Sequence, residues 1–146
     1  MPRAVLAALV LALAGCETYP RDAEGTLAQV RAEHRFRVGL ARTGAGDEAV
    51  EQRFLARLAA ATEATPRLFG GSGEALLAQL EAGKLDLVLG EFATDSPWAQ
   101  DVALIEPLAS RREGERDIGL AAAARNGENA WIGLIERTVR ETRAAR

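Results

Sequence analysis

The stretch Gly90-Glu91-Phe92-Ala93-Thr94-Asp95-Ser96-Pro97-Trp98 carries the densest set of side chains able to recognise a ligand. Thr94 and Asp95 offer a hydroxyl and a carboxylate to a polar molecule, and Glu91 could attract a cation or accept a hydrogen bond. Trp98 offers an aromatic face on which a ligand or partner could stack. Each has a plainer role as well. Thr94, Asp95 and Ser96 are N-cap types and Pro97 suits a first helical turn. Trp98 could pack on a sheet edge, and a Glu in Glu91's position is more often solvated. Two glycine-containing turns have a related character, Thr43-Gly44-Ala45-Gly46 and Gly70-Gly71-Ser72-Gly73. Their backbone N–H groups could approach an anion, although neither is a phosphate loop of the GxxxxGKS/T or GxGxxG type. The candidate binding set is therefore Thr43, Gly44, Ser72, Gly90, Glu91, Thr94, Asp95 and Trp98.

Catalytic and metal chemistry find less material. His34 is the single histidine and Cys16 the single cysteine. A Ser-His-Asp triad would need His34, which falls before the first strand and so on the opposite sheet edge from the candidate loops. One His and one Cys do not make a metal site, and no paired carboxylates stand out from the solvated background. The sequence implies no cofactor. The formal charge of −3 is spread along the chain rather than blocked, so there is no nucleic-acid footprint.

The elements that must position these residues follow from periodicity. Thr26 is placed to cap a short helix with Leu27 and Val30 inward. Arg35 to Ala41 alternates polar and apolar, which predicts a strand with Phe36, Val38 and Leu40 on one face. Asp47 and Glu48 open a helix whose Val50, Phe54 and Leu58 recur every four residues, with Leu55 beside them. Pro66 to Phe69 is a brief strand. Ser72 is placed to N-cap a second helix with Leu76, Leu77 and Leu80 inward, and Gly83 is placed as its C-cap glycine. Leu85 to Gly90 is apolar except for Asp86, the pattern of a strand covered on both faces. Val102 to Ile105 and Ile118 to Ala123 are further strands, with Arg111 to Arg116 a solvated charged connection between them. Trp131, Leu134, Ile135 and Val139 stripe a last helix that starts near Glu128. Early strand–helix alternation implies right-handed crossovers. The expected fold is α/β and three-layered, with a mostly parallel sheet of about five strands and helices on both faces.

Residues 1–15 read as a signal segment. Arg3 is followed by the apolar run Ala4 to Ala14, shorter than the roughly 20 residues a spanning helix takes. The run ends Leu13-Ala14-Gly15-Cys16, which resembles the lipobox of bacterial lipoproteins, where the cysteine is lipidated. Loss of Arg3 with the signal takes the side-chain charge from −3 to −4. Residues 16–25 read as a polar tether and 26–146 as one domain.

Three stretches then resemble the type 2 periplasmic solute-binding proteins, specifically the family 3 substrate-binding components of ABC transporters for amino acids and other polar solutes. Gly25 to Leu40 is similar to the family's opening helix and first strand. Glu74 to Pro107 is similar to its helix, GK-x-D strand, small loop and strand ending in Pro. Ile118 to Arg140 is similar to its closing strand, turn and last helix. The resemblance implies the fold of a periplasmic binding protein, but Pro107 is followed by only a short charged link, so a single first lobe is expected. Amino-acid-binding members carry a Thr followed by an Arg that grips the α-carboxylate. Thr94 matches the Thr, while Trp98, Ala99 or Gln100 stands where the Arg would be.

The resulting expectation is a lipid-anchored lobe, held at the bacterial cell membrane or outer membrane and facing the periplasm, that recognises a small polar solute, with an ABC permease as a partner. The alternative is an envelope lipoprotein whose lobe is a scaffold for another protein or for a second copy, as a homodimer. An enzyme is the least supported reading.

Overall fold

Alternation decides β1 (Arg35–Ala41): Phe36, Val38 and Leu40 all lie in one hydrophobic cluster, while Ala41 belongs to the other. The computed structural model describes residues 21–41, 48–93 and 95–145. Cys16, Thr43, Gly44 and Thr94 lie outside the described residues, as do residues 1–15. Around β1 the chain builds α1 (Thr26–Glu33), α2 (Glu48–Thr62), β2 (Thr65–Gly70), α3 (Gly73–Glu81) and β3 (Leu87–Ala93). A single 3₁₀ turn (Pro97–Gln100) leads to β4 (Val102–Leu104), β5 (Ala109–Glu113), β6 (Arg116–Arg125) and α4 (Asn129–Ala144).

The sheet order is β2-β1-β3-β6-β4, with β5 also paired to β6. β1 pairs parallel with both β2 and β3. The chain moves out from β1 to β2 and then back past β1 to β3. Crossovers of one hand must therefore put α2 and α3 on opposite faces, and they do. Val50, Phe54 and Leu58 of α2 pack in the cluster that holds Trp131, Leu134 and Ile135 of α4. Leu76, Leu77 and Leu80 of α3 pack in the other, against Val88 and Ala123. The three layers are thus as the alternation predicts, with a parallel half β2-β1-β3.

The other half is antiparallel: β6 runs against β3, and both β4 and β5 run against β6. The expected charged connection is a correction here. Residues 109–113 form β5, which turns through Gly114 (φ 62°) into β6 with five residue pairs in register, Ala109–Leu120 to Glu113–Arg116. Its residues are exposed or half-buried, so the stretch lacks apolar alternation and its strand character lies in backbone pairing alone. β6 is buried on both faces at Leu120 to Ala124. Small side chains there let the helices close on a central strand. At Gly119 a Cβ would sit 2.6 Å from Pro107 Cγ.

The helix starts depart from expectation. Thr26 does not cap α1; it is the first helical residue, is buried, and its N–H donates to Glu128 Oε2 at 2.9 Å. Glu128 Oε1 also accepts from Glu24 N–H at 2.7 Å. Asp22 completes a crossed cap, accepting from Leu27 N–H of α1 at 2.7 Å and from Trp131 N–H of α4 at 2.9 Å. Two carboxylates therefore serve two helix N-termini, where unpaired N–H groups and the dipole favour negative charge. Residues 22–24 are docked on α4 by these bonds and by Ala23 N–H to the Gly127 carbonyl. At the end of α3, Gly83 (φ 71°) and Lys84 donate back to the Leu80 and Gln79 carbonyls at 2.9 and 2.8 Å, a complete Schellman closure.

Candidate functional site

Each parallel strand ends at the same edge of the sheet, the edge where open α/β folds place ligands. Two chain segments meet there. Gly70-Gly71 carries the chain out of β2 and into α3, presenting Ser72, Gly73 and Glu74. β3 continues past its partner β1 to present Glu91, Phe92 and Ala93, and the 3₁₀ turn adds Ser96, Pro97 and Trp98. These residues and Leu77 line one open cleft of about 390 Å³.

Of the sequence candidates, the cleft brings together Ser72, Glu91 and Trp98. Ser72 holds the N-cap position of α3 without a side-chain bond to the helix, so its hydroxyl is not spent on capping. Trp98 does two things: it is half-buried against the α3-side cluster and still lines the cleft. Asp95 is exposed and is not among the lining residues. Gly90 is a correction. It is buried in β3 and is not a lining residue; a Cβ there would come within 2.8 Å of Ala41 Cβ and 3.1 Å of the Ala41 carbonyl. Its lack of a side chain permits the close approach of β3 to Ala41 of β1. Ser96 begins a single 3₁₀ turn without a side-chain cap bond, with Pro97 at the first position.

Glu91 is not merely solvated. Arg111 of β5 reaches diagonally across β6 and grips both of its carboxylate oxygens, Nη1 on Oε1 and Nη2 on Oε2 at 3.1 Å. Arg111 also contacts Glu113 at 3.3 Å. The Glu91 side chain is 10% exposed and that of Arg111 47%, so the pair has one protected partner and one wet one. Glu74 is exposed at the mouth. Glu91 shares its sheet face with Leu89 and Leu120, away from α3, so the lining offers one carboxylate at Glu74, two hydroxyls and two aromatic rings, and none of its described residues is basic.

Two residues escaped the sequence reading. Glu74 was findable, because it lies in the first turn after the Gly70-Gly71-Ser72 loop. Arg111 carried no signal, because only the pairing of β5 with β6 sets it opposite Glu91. His34 sits where expected, before β1, with Nδ1 donating to the Glu63 carbonyl at 3.0 Å. Among the described residues no group of three or more His, Cys, Asp or Glu is arranged to hold a metal ion.

No protein-family model matches the chain, and no curated protein sequence matches it. Solved structures do. The arginine-bound form of domain 1 from TmArgBP superposes with a TM-score of 0.66 at 16% identity, over 77% of this chain and 97% of that one. An amino acid ABC transporter substrate-binding protein from Streptococcus pneumoniae bound to L-arginine gives 0.69 at 7% identity, over 82% and 92%. An ancestral cyclohexadienyl dehydratase gives 0.67 at 8% identity, over 88% and 93%. At such identities the likeness is one of fold: the chain has the architecture of a single lobe of the periplasmic solute-binding proteins. Most of these neighbours are binding proteins, and the dehydratase is an enzyme on the same frame.

Proposed function

We propose that this chain is a solute-recognition lobe of the bacterial cell envelope, anchored by lipid on Cys16 to the cell membrane or the outer membrane and facing the periplasm, and working with an ABC permease. The observation that carries it is the cleft at the carboxyl edge, formed by Ser72, Glu74, Glu91, Phe92, Ser96 and Trp98 on a fold shared with solute-binding proteins. That an arginine-bound form of a lone domain 1 exists for TmArgBP supports recognition by one lobe.

The cleft chemistry suits a small solute with a positive group. The Glu74 carboxylate attracts it, the faces of Phe92 and Trp98 accept it by cation–π contact, and the hydroxyls orient it. With Trp98, Ala99 or Gln100 where the gripping arginine would stand, no bidentate clamp for an α-carboxylate is among the described lining residues. A one-sided site leaves much of the ligand wet, whereas closed sites bury 70–90% of it. The affinity expected is weak, on the order of 0.1–1 mM. Calorimetry of the purified protein against matched amines, zwitterions and carboxylates tests this. Heat with the amines that disappears in Trp98→Ala supports it; silence across the panel at millimolar concentration overturns it. Loss of labelled-palmitate incorporation in Cys16→Ala tests the anchor.

A scaffold reading is favoured by one feature, an apolar groove of about 170 Å³ on the same side, lined by Phe92, Leu104, Ile105 and Pro107 among others. In that reading Trp98→Ala changes the envelope proteins recovered with the chain and leaves no solute binding to lose.

A further inference from the structure

The two borders of the sheet are built differently. On one side lie β4, only three residues long, and β5, whose Arg111, Arg112 and Glu113 are exposed and charged. Short length and charge are the usual means of keeping a border strand from pairing with another chain. On the other side lies β2, with Leu68 53% exposed and Phe69 47% exposed, the two large apolar side chains left in solvent among the described residues.

The backbone of β2 has a definite polarity. Thr65 N–H donates to the carbonyl of His34, the residue just before β1, at 2.9 Å. Alternation then turns the groups of residues 65, 67 and 69 toward β1 and those of 66, 68 and 70 outward. The open border thus presents N–H and C=O at Leu68 and Gly70 and a carbonyl at Pro66, which has no N–H to give.

We propose that this border pairs with the same border of a second copy of the chain, antiparallel about a two-fold axis at Leu68, joining two sheets into one. A strand on a two-fold axis is self-complementary by construction, and this one fits. The two Leu68 residues exchange both of their backbone bonds. Gly70 N–H meets the Pro66 carbonyl of the other copy, so proline's missing donor costs only the bond to the Gly70 carbonyl. Between these pairs Arg67 stands directly opposite Phe69 of the other copy, twice, an arrangement that covers the exposed ring and places a guanidinium over it. The two Leu68 side chains meet on the opposite face. The pairing is independent of what the cleft holds.

Sedimentation of the purified protein in a Cys16→Ala background, where lipid cannot contribute, tests this over a concentration series. The expected result is a reversible dimer. Leu68→Lys sets two like charges against each other on the axis and yields monomer, with the circular dichroism of the fold retained because the site is exposed. Phe69→Lys, facing Arg67, also yields monomer, and Arg67→Glu added to it recovers the dimer by pairing opposite charges across the interface. A protein that is monomeric up to roughly 1 mM, the range of very weak association, overturns the proposal. So does a dimer that survives Leu68→Lys, and a double variant that stays monomeric overturns the register.

Discussion

Asp86 and Arg37 hold each other by four hydrogen bonds. Asp86 Oδ2 accepts from the Arg37 backbone N–H at 2.7 Å and from Nε at 3.0 Å, and Oδ1 accepts from Nη2 at 2.6 Å. Asp86 N–H donates in return to the Arg37 carbonyl at 2.9 Å. The Asp86 carbonyl takes a further bond from Trp131 Nε1 at 2.7 Å, and Trp131 packs edge-on against Phe36 at 5.9 Å. One residue at the entry to β3 therefore ties β1, β3 and α4 together at the edge opposite the cleft. Asp86 is the single polar break in the apolar run that ends at Gly90, and this is its use. The side-chain bond to Asp86 outweighs partial burial and raises the Arg37 guanidinium above its ordinary range.

The two partners differ in exposure, 41% for the Arg37 side chain and 11% for Asp86, and this predicts an asymmetry. Asp86→Ala leaves the Arg37 N–H and guanidinium without their acceptor and should cost about 2–3 kcal/mol. Arg37→Ala removes a half-exposed head and keeps the carboxylate's backbone donor, so roughly 1 kcal/mol is expected. Urea unfolding of both single variants and the double checks it. Equal and additive costs would show that the pair is not coupled.

Glu128 should make stability depend on pH at the acid end. Complete burial by itself raises its carboxyl, but bonds from the Thr26 side chain and from the Thr26 and Glu24 amides, with Arg125 nearby, bring it below the ordinary carboxylate value. A carboxylate lowered by folding contributes stability that is present above its unfolded pKa, about 4.3, and is lost as the pH falls from there through the lower folded value. Glu128→Gln should flatten that part of the stability profile. At neutral pH, Glu128→Ala should cost roughly 3 kcal/mol by leaving two amides unpaired. An unchanged acid limb in the Gln variant would remove Glu128 as its source.

Gly83 combines φ 71° with a neighbour, since a Cβ there would sit 2.5 Å from Arg125 Nη1. Gly83→Ala should destabilise by about 1–2 kcal/mol, the left-handed backbone penalty, plus whatever displacement of Arg125 takes from its contacts to Thr26 and Glu128. Gly83→Asn should cost less, because Asn tolerates this conformation. Melting of the two variants side by side decides between backbone strain and simple crowding, which would rank the larger Asn as worse.

Arg111→Ala should act on the cleft more than on the fold. Removing the guanidinium leaves the Glu91 carboxylate with less positive charge beside it. A cationic solute should then bind roughly 2-fold tighter, about 0.4 kcal/mol, because Glu91 acts on the cleft from the far face of the sheet. Chemical stability should change little, since Arg111 is half-exposed. Calorimetry with the amine that binds the parent reads this out, and weaker binding in the variant would show that Arg111 itself contacts the ligand.

Much of this molecule was determined by local pattern. Period-two alternation at Arg35 to Ala41, period-four stripes in α2 and α4, and the positive-φ demand at Gly83 are each satisfied within a few residues, so the sequence alone specified those elements, the three layers and the edge that carries Ser72, Glu91 and Trp98. The tertiary structure decided whatever depended on partners distant in the chain. β5 is a strand only because β6 offers it a backbone ladder; after Ala109 its residues are polar on both faces and show no period. Arg111 meets Glu91, and Asp22 and Glu128 cap helices to which they are not adjacent, because hydrogen bonds between far-separated residues leave no trace in spacing. Gly90 stood among the candidates because it ends the apolar run before the loop; that it packs against Ala41 of β1 is a matter of strand register that only the folded sheet sets.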